Sequence, residues 1–123
     1  MKISIYLSLL LISLFAAKSI AEYSPLEEKG FDVGLCVVEF NASFNEKNSV
    51  EWIDELTDCD VNRVDISLYP DLQKKYKIVV VPTIIVLNDG EEKDRFQANI
   101  MMTLEATKDD IQEAVDEILM SSF

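Results

Sequence analysis

Two side chains of this sequence carry chemistry and fall where a strand would bury them. Glu39 lies inside the apolar run Leu35-Cys36-Val37-Val38-Glu39-Phe40. Such a run marks a strand covered on both faces, so the carboxylate is expected to be at least partly buried. A buried carboxylate needs a partner or a raised pKa, which leaves two roles open: half of an ion pair, or a proton-active acid. Cys36 shares that run, and Cys59 closes a loop of about 22 residues with it. Bridged, the pair would contribute roughly 3 kcal/mol by restricting the unfolded chain. Strand alternation would instead turn Cys36 into the core and leave both thiols free. The sequence contains no histidine. Neither a Ser–His nor a Cys–His nucleophile can be built from it alone.

These groups have to be positioned by an alternation of strands and helices. Ser24-Pro25-Leu26-Glu27-Glu28-Lys29-Gly30 reads as one short helix, with Pro25 at its first position and Gly30 as its stop. After the strand at Leu35, Ser43-x-x-Glu46 can form a capping box, with Asn45 or Asn48 as later starts. The helix this opens carries Val50, Ile53 and Leu56 at a spacing of three and ends near Asp58-Cys59-Asp60. Asn62 to Ser67 is a short second strand, and Pro70 opens a small helix through Tyr76. Ile78 to Leu87 is an apolar stretch split by Pro82 into an approach and a strand. Asn88-Asp89-Gly90 is a hairpin turn, because Asn and Gly accept positive φ cheaply. Glu91 to Phe96 returns as a charged edge strand. Asn99 to Ala106 has no assigned structure. Thr107 caps a last helix with Asp109 and Asp110 in its first turn and Ile111, Val115, Ile118 and Leu119 as its buried stripe.

At 123 residues the chain holds one compact domain. Residues 1–21 have the pattern of a secretory signal peptide: Lys2, an apolar run to Ala17, then Ser19-Ile20-Ala21 with small residues around one position. Cleavage after Ala21 is expected, leaving a domain over residues 22–123 in the periplasm, a secretory lumen or outside the cell. Loss of Lys2 and Lys18 takes the net charge from −12 to −14. So acidic a surface disfavours nucleic acid and anionic membranes, and it favours a basic partner or divalent cations, besides keeping the protein dissolved. No Asp-x-Asp-x-Asp-Gly loop is present, so acidic stretches such as Glu91-Glu92 and Asp109-Asp110 make weak calcium ligands. No metal and no cofactor is expected.

The order of elements, Val38-Glu39-Phe40-x-Ala42, Val64-Asp65-Ile66, Pro70-x-Leu72-x-x-Lys75-Tyr76-x-Ile78, Val81-Pro82-Thr83 and Asn88-Asp89-Gly90 together resemble the thioredoxin-like superfamily, from about Leu35 to Leu119. The resemblance implies a three-layer α/β/α fold around a mixed sheet of about four strands, since little chain precedes Leu35. Where that family carries Cys-x-x-Cys, this chain has Asn45-Glu46-Lys47-Asn48. The resemblance also implies that Glu39 is the buried acid under the site, with Arg63 as its paired cation, and that the Val81–Pro82 bond is cis. It places Phe44, Val81 and Pro82 where an extended peptide would bind.

The thiol chemistry of the family needs a low-pKa cysteine at a helix N-terminus and a second to resolve the mixed disulfide. Asn45 and Asn48 supply neither. The expected function is an exported, redox-inactive module, monomeric, binding a peptide or protein in the groove near the cis-proline without nucleic acid or stable membrane insertion. The alternative is a thiol–disulfide oxidoreductase that uses Cys36 and Cys59.

Overall fold

A computed structural model describes residues 31–122. The expected signal peptide and the short helix from Ser24 to Gly30 lie outside the described residues. Four strands form one mixed sheet: β1 (Leu35–Asn41), β2 (Asp60–Asp65), β3 (Thr83–Asn88) and β4 (Glu91–Gln97), in the order β2-β1-β3-β4. β1 runs parallel to β2 and antiparallel to β3, and β3 and β4 form a hairpin. Among the described residues two α-helices, α1 (Pro70–Lys75) and α2 (Lys108–Ser121), and two 3-10 helices after β1 accompany the sheet.

β1 and β3 are buried on both faces because both faces are covered. On one side Cys36, Val38 and Phe40 pack with Ile85, Leu87, Leu72 and Tyr76, under α1. On the other, Val37, Ile84 and Val86 pack with Ile53, Ile111 and Val115, under the 3-10 segment and α2. This is the three-layer arrangement expected from the sequence. Thr107 starts α2 through a reciprocal capping box with Asp110, at 3.2 and 2.8 Å. Its buried residues are Ile111, Ala114 and Val115, with Ile118 and Leu119 half-covered at the end of the stripe.

The crossover from β1 to β2 departs from expectation. In place of one α-helix from Ser43 to Leu56 there are two 3-10 helices, Ser43–Asn48 and Glu51–Glu55. The spacing of three in Val50, Ile53 and Leu56, all buried, is the period of a 3-10 helix, which stacks positions i and i+3 on one side. Ser43 caps no helix here; its hydroxyl donates to Asp65 instead. The second strand also starts earlier than expected, at Asp60, and stops at Asp65.

α1 is tied to the sheet from below. The Arg95 guanidinium of β4 donates to the carbonyls of Tyr76 and Lys77 at the C-terminal end of α1, where a cation suits the orphan carbonyls. The chain then passes through Lys77 at φ 53° into the approach to Pro82. The Val81–Pro82 bond is cis.

Candidate functional site

The segment after β1 leaves the sheet at the end where Phe40 pairs with Val64 and Thr83. Ala42 is extended, and Asn45 breaks the 3-10 geometry at φ −112°, ψ 19°. The amide of Asn45 is thereby turned inward and is only 3% exposed. Its two Nδ2 hydrogens reach three acceptors: the Val81 carbonyl at 3.3 Å, the Met102 carbonyl at 3.1 Å and Asn41 Oδ1 at 3.2 Å. Its Oδ1 accepts from Asn48 Nδ2 at 2.8 Å. Asn45 and Asn48 therefore form a side-chain amide pair. Glu46 and Lys47 between them are exposed.

Phe44 points the opposite way and is 72% exposed. It flanks a groove of about 330 Å³ whose other walls are Ile78 to Val81, Ile66, Gln73 and the loop after β4. Within that loop one side chain gathers the main chain. Asn99 Oδ1 accepts from the Met101 and Thr103 N–H groups and the Thr103 hydroxyl at 2.9, 3.2 and 3.0 Å. The Asn99 N–H donates to the Thr103 carbonyl at 3.0 Å. The Ala98 N–H donates to the Pro82 carbonyl at 3.0 Å and sets the loop beside the cis bond. Met102, at φ 60°, closes the turn. The loop presents Ile100, Met101 and Met102 at 97, 74 and 42% exposure. Val81 and Pro82 are themselves buried.

On the other side of Ser43 lies a polar cavity of about 300 Å³ lined by Glu39, Arg63, Ser49 and Asp65 among others. Glu39 is 1% exposed and directly opposite Arg63 in the parallel register. Arg63 Nη1 donates to Glu39 Oε1 at 2.6 Å, and its Nη2 donates to the Val50 carbonyl and Asp54 at 2.9 and 3.0 Å. Glu39 Oε2 accepts the Val50 N–H at 2.8 Å and Ser49 Oγ at 3.3 Å. Both oxygens are engaged, so the carboxylate braces the 3-10 segment against β1. Burial nonetheless pushes its pKa up, with the Val50 N–H and Arg63 pulling the other way. Asp65 sits at the rim, and the hydroxyls of Ser43 and Ser67 that donate to it hold its carboxyl below the usual range.

The two cysteines are free, so the bridge between Cys36 and Cys59 is not formed. Alternation explains this. Cys36 points to the α1 side of the sheet, whereas Cys59 packs with Val61 on the α2 side. Cys36 pairs with Leu87, at the hairpin end of β3 and away from Asn45. Burial pushes the Cys36 thiol up, against the Asn62 amide that donates to its sulfur at 3.1 Å. Burial, then Cys36, Asp60, Asp58 and Asp116, push Cys59 up to about 11. A thiol at that value is protonated and a weak nucleophile at neutral pH. Among the described residues no group of three or more His, Cys, Asp or Glu side chains is placed to hold a metal ion.

Two features of the site were not read from the sequence. One is the burial of Asn45, whose partners lie 36 and 57 positions away. The other is the Asn99–Thr103 loop, although Ile100-Met101-Met102 was a visible signal, since three consecutive apolar residues are unusual in a surface connection.

No family model matches the chain. A segment of 37 residues is 46% identical to Thioredoxin Y1, chloroplastic, of Arabidopsis thaliana, covering 30% of this chain and 22% of that protein. The match thus spans about a fifth of that relative's length. Among solved structures, Schistosoma mansoni thioredoxin superposes with a TM-score of 0.57 at 21% identity, over 76% of this chain and 83% of that one. A mutant thioredoxin from Halobacterium salinarum gives 0.54 at 22% identity, over 70% of this chain and 75% of that one. With β1, the cis Val81–Pro82 bond and the β3–β4 hairpin in the places described above, the chain has a thioredoxin-like fold.

Proposed function

We propose that this protein is an exported, redox-inactive thioredoxin-like module that binds a peptide or protein through the groove beside Pro82. One observation carries the binding reading. Phe44, 72% exposed, stands over an uncharged groove of about 330 Å³ next to the cis bond, with Val79 and Ile100 more exposed still. Several large apolar side chains exposed around one concave surface favour a contact role. The redox-inactive part is supported by the amide pair of Asn45 and Asn48 where thiols would act, and by the burial and raised pKa of Cys36 and Cys59. Export rests on residues 1–21 of the sequence. The acidic net charge favours a basic partner.

The test pairs capture with catalysis. Tagged protein and a Phe44→Ser variant are used to capture partners from the envelope fraction of the exporting cell, and both are assayed for insulin reduction with dithiothreitol. Partners retained by the wild type and lost by the variant, with no reduction above background, are expected. Equal recovery by the variant removes the groove, and reductase activity that disappears in Cys36→Ser removes the redox-inactive reading.

A further inference from the structure

The groove beside Pro82 and the side chains that project around it form one surface. The groove holds about 330 Å³, and none of its ten lining residues is Asp, Glu, Lys or Arg. At its rim the loop after β4 carries Ile100 and Met101 at 97 and 74% exposure, with Phe44 and Val79 at 72 and 78%. A knob beside a hollow is what an isologous contact needs, because a two-fold axis sets the knob of each copy against the hollow of the other. The lack of charge matters to such a contact. The chain carries a net −12, so two copies repel where acidic surface meets acidic surface. The groove lining brings no charge of either sign into the contact.

The main chain adds a residue that can pair with itself. Ile78 donates its N–H to the Gln73 carbonyl at 3.0 Å, and its own carbonyl accepts Gln73 Nε2 at 3.5 Å. The Val80 carbonyl accepts the Thr83 hydroxyl at 2.7 Å, and the Val81 carbonyl accepts Asn45 Nδ2 at 3.3 Å. Between them, the N–H and the carbonyl of Val79 both lack a partner among the described residues. Two residues that exchange both groups make an antiparallel hydrogen-bonded pair. Across a two-fold axis Val79 meets its own copy, which supplies both groups and a second β-branched side chain to pack beside the first.

Area decides whether this is enough. Fully burying an apolar side chain removes about 100 Å² from water. At their exposures Phe44, Val79, Ile100, Met101 and the 42% exposed Met102 offer roughly 350 Å². A standard-size interface takes about 800 Å² from each partner, rather more than half of it apolar, so these side chains supply most of the apolar share.

We infer that the occupant of the groove is a second copy of this chain, docked about a two-fold axis at Val79 with the Ile100–Met101 turn of each copy in the groove of the other. The inference rests on the groove-binding function proposed above and names the partner, a dimer in place of the monomer expected from the sequence.

Sedimentation velocity of the purified protein from about 1 μM to 1 mM tests it. Ile100→Asp is compared with Met120→Asp, which lies in α2 outside the groove lining. Both parent side chains are exposed, so neither substitution empties the core. A dimer that Ile100→Asp weakens about tenfold and Met120→Asp leaves unchanged is expected. Exchange of the Val79 amide should slow as the dimer fills, since that N–H has no partner within the monomer. A dimer untouched by Ile100→Asp, one weakened as much by Met120→Asp, or a Val79 amide that exchanges alike in monomer and dimer overturns the inference. A monomer throughout overturns it too, and the capture experiment above then separates the two readings. Partners lost with Phe44→Ser leave the groove as a site for another protein, and no such loss removes the groove as well.

Discussion

Asn45→Ala tests whether one amide assembles the site. The substitution removes the donor to the Val81 and Met102 carbonyls and the acceptor for Asn48 Nδ2. A buried acceptor left without a partner costs about 1–3 kcal/mol. The Val81 carbonyl bears that in full, because Val81 is 6% exposed. Met102, 42% exposed, can turn its carbonyl to water, and Asn48 is only half-buried, so both recover most of their loss. The expected destabilisation is about 2 kcal/mol, or roughly 8–16 °C in Tm for a domain of this size. Urea unfolding followed by circular dichroism measures it. Hydrogen exchange adds a local readout: the Met101, Met102 and Thr103 amides should exchange faster by more than the global loss accounts for, since the loop loses its tether. Asn45→Asp should cost more than Asn45→Ala, because it brings a carboxylate up to three oxygen acceptors. A loss below about 0.5 kcal/mol, or loop amides that speed up only in step with the rest of the domain, would refute the clamp.

The other predictions concern the neighbouring groups. Because burial raises Glu39 above its ordinary value of 4.5, its contribution to stability is full below that pH and is lost as pH rises through the folded pKa. The stability of Glu39→Gln should therefore be flatter over that window, and parallel curves between pH 4 and 8 would count against a buried acid. Installing Asn45→Cys with Asn48→Cys should give a poor reductase: residue 45 lies in a six-residue 3-10 segment with a non-helical break rather than at an α-helix N-terminus. A thiol pKa below about 7 at position 45 would contradict this. Cys36 and Cys59 should react with iodoacetamide at neutral pH only on unfolding, and the intact mass should be the same with and without reductant; rapid labelling of the folded protein defeats the assignment. Thr107→Ala should cost about 1 kcal/mol through the lost cap of α2, measured by thermal unfolding, and an unchanged Tm would show the cap to be idle.

The parts of the fold legible in the sequence are those written in local patterns. The apolar runs of β1 and β3, the Asn88-Asp89-Gly90 turn and the Thr107 cap each depend on residues a few positions apart. The crossover after β1 was misread because Ser43 and Glu46 match a capping box, yet Ser43 donates to Asp65, 22 positions away. The spacing of three was present in Val50, Ile53 and Leu56 and indicated the tighter helix. At the site, Glu39 and Arg63 stand opposite each other because register follows from alternation along two strands. Asn45 gave no such clue. A polar residue in a connecting segment looks solvated until the two distant carbonyls that surround it are known.

The amide pair has one consequence for the conditions under which this surface operates. A dithiol couple changes its covalent state with the reduction potential of its surroundings. The contact of Asn48 with Asn45 at 2.8 Å transfers no electrons, so oxidant and reductant leave it alike. Under the function proposed above, occupancy of the groove beside this pair would answer to the concentration of a partner rather than to the redox poise of the compartment.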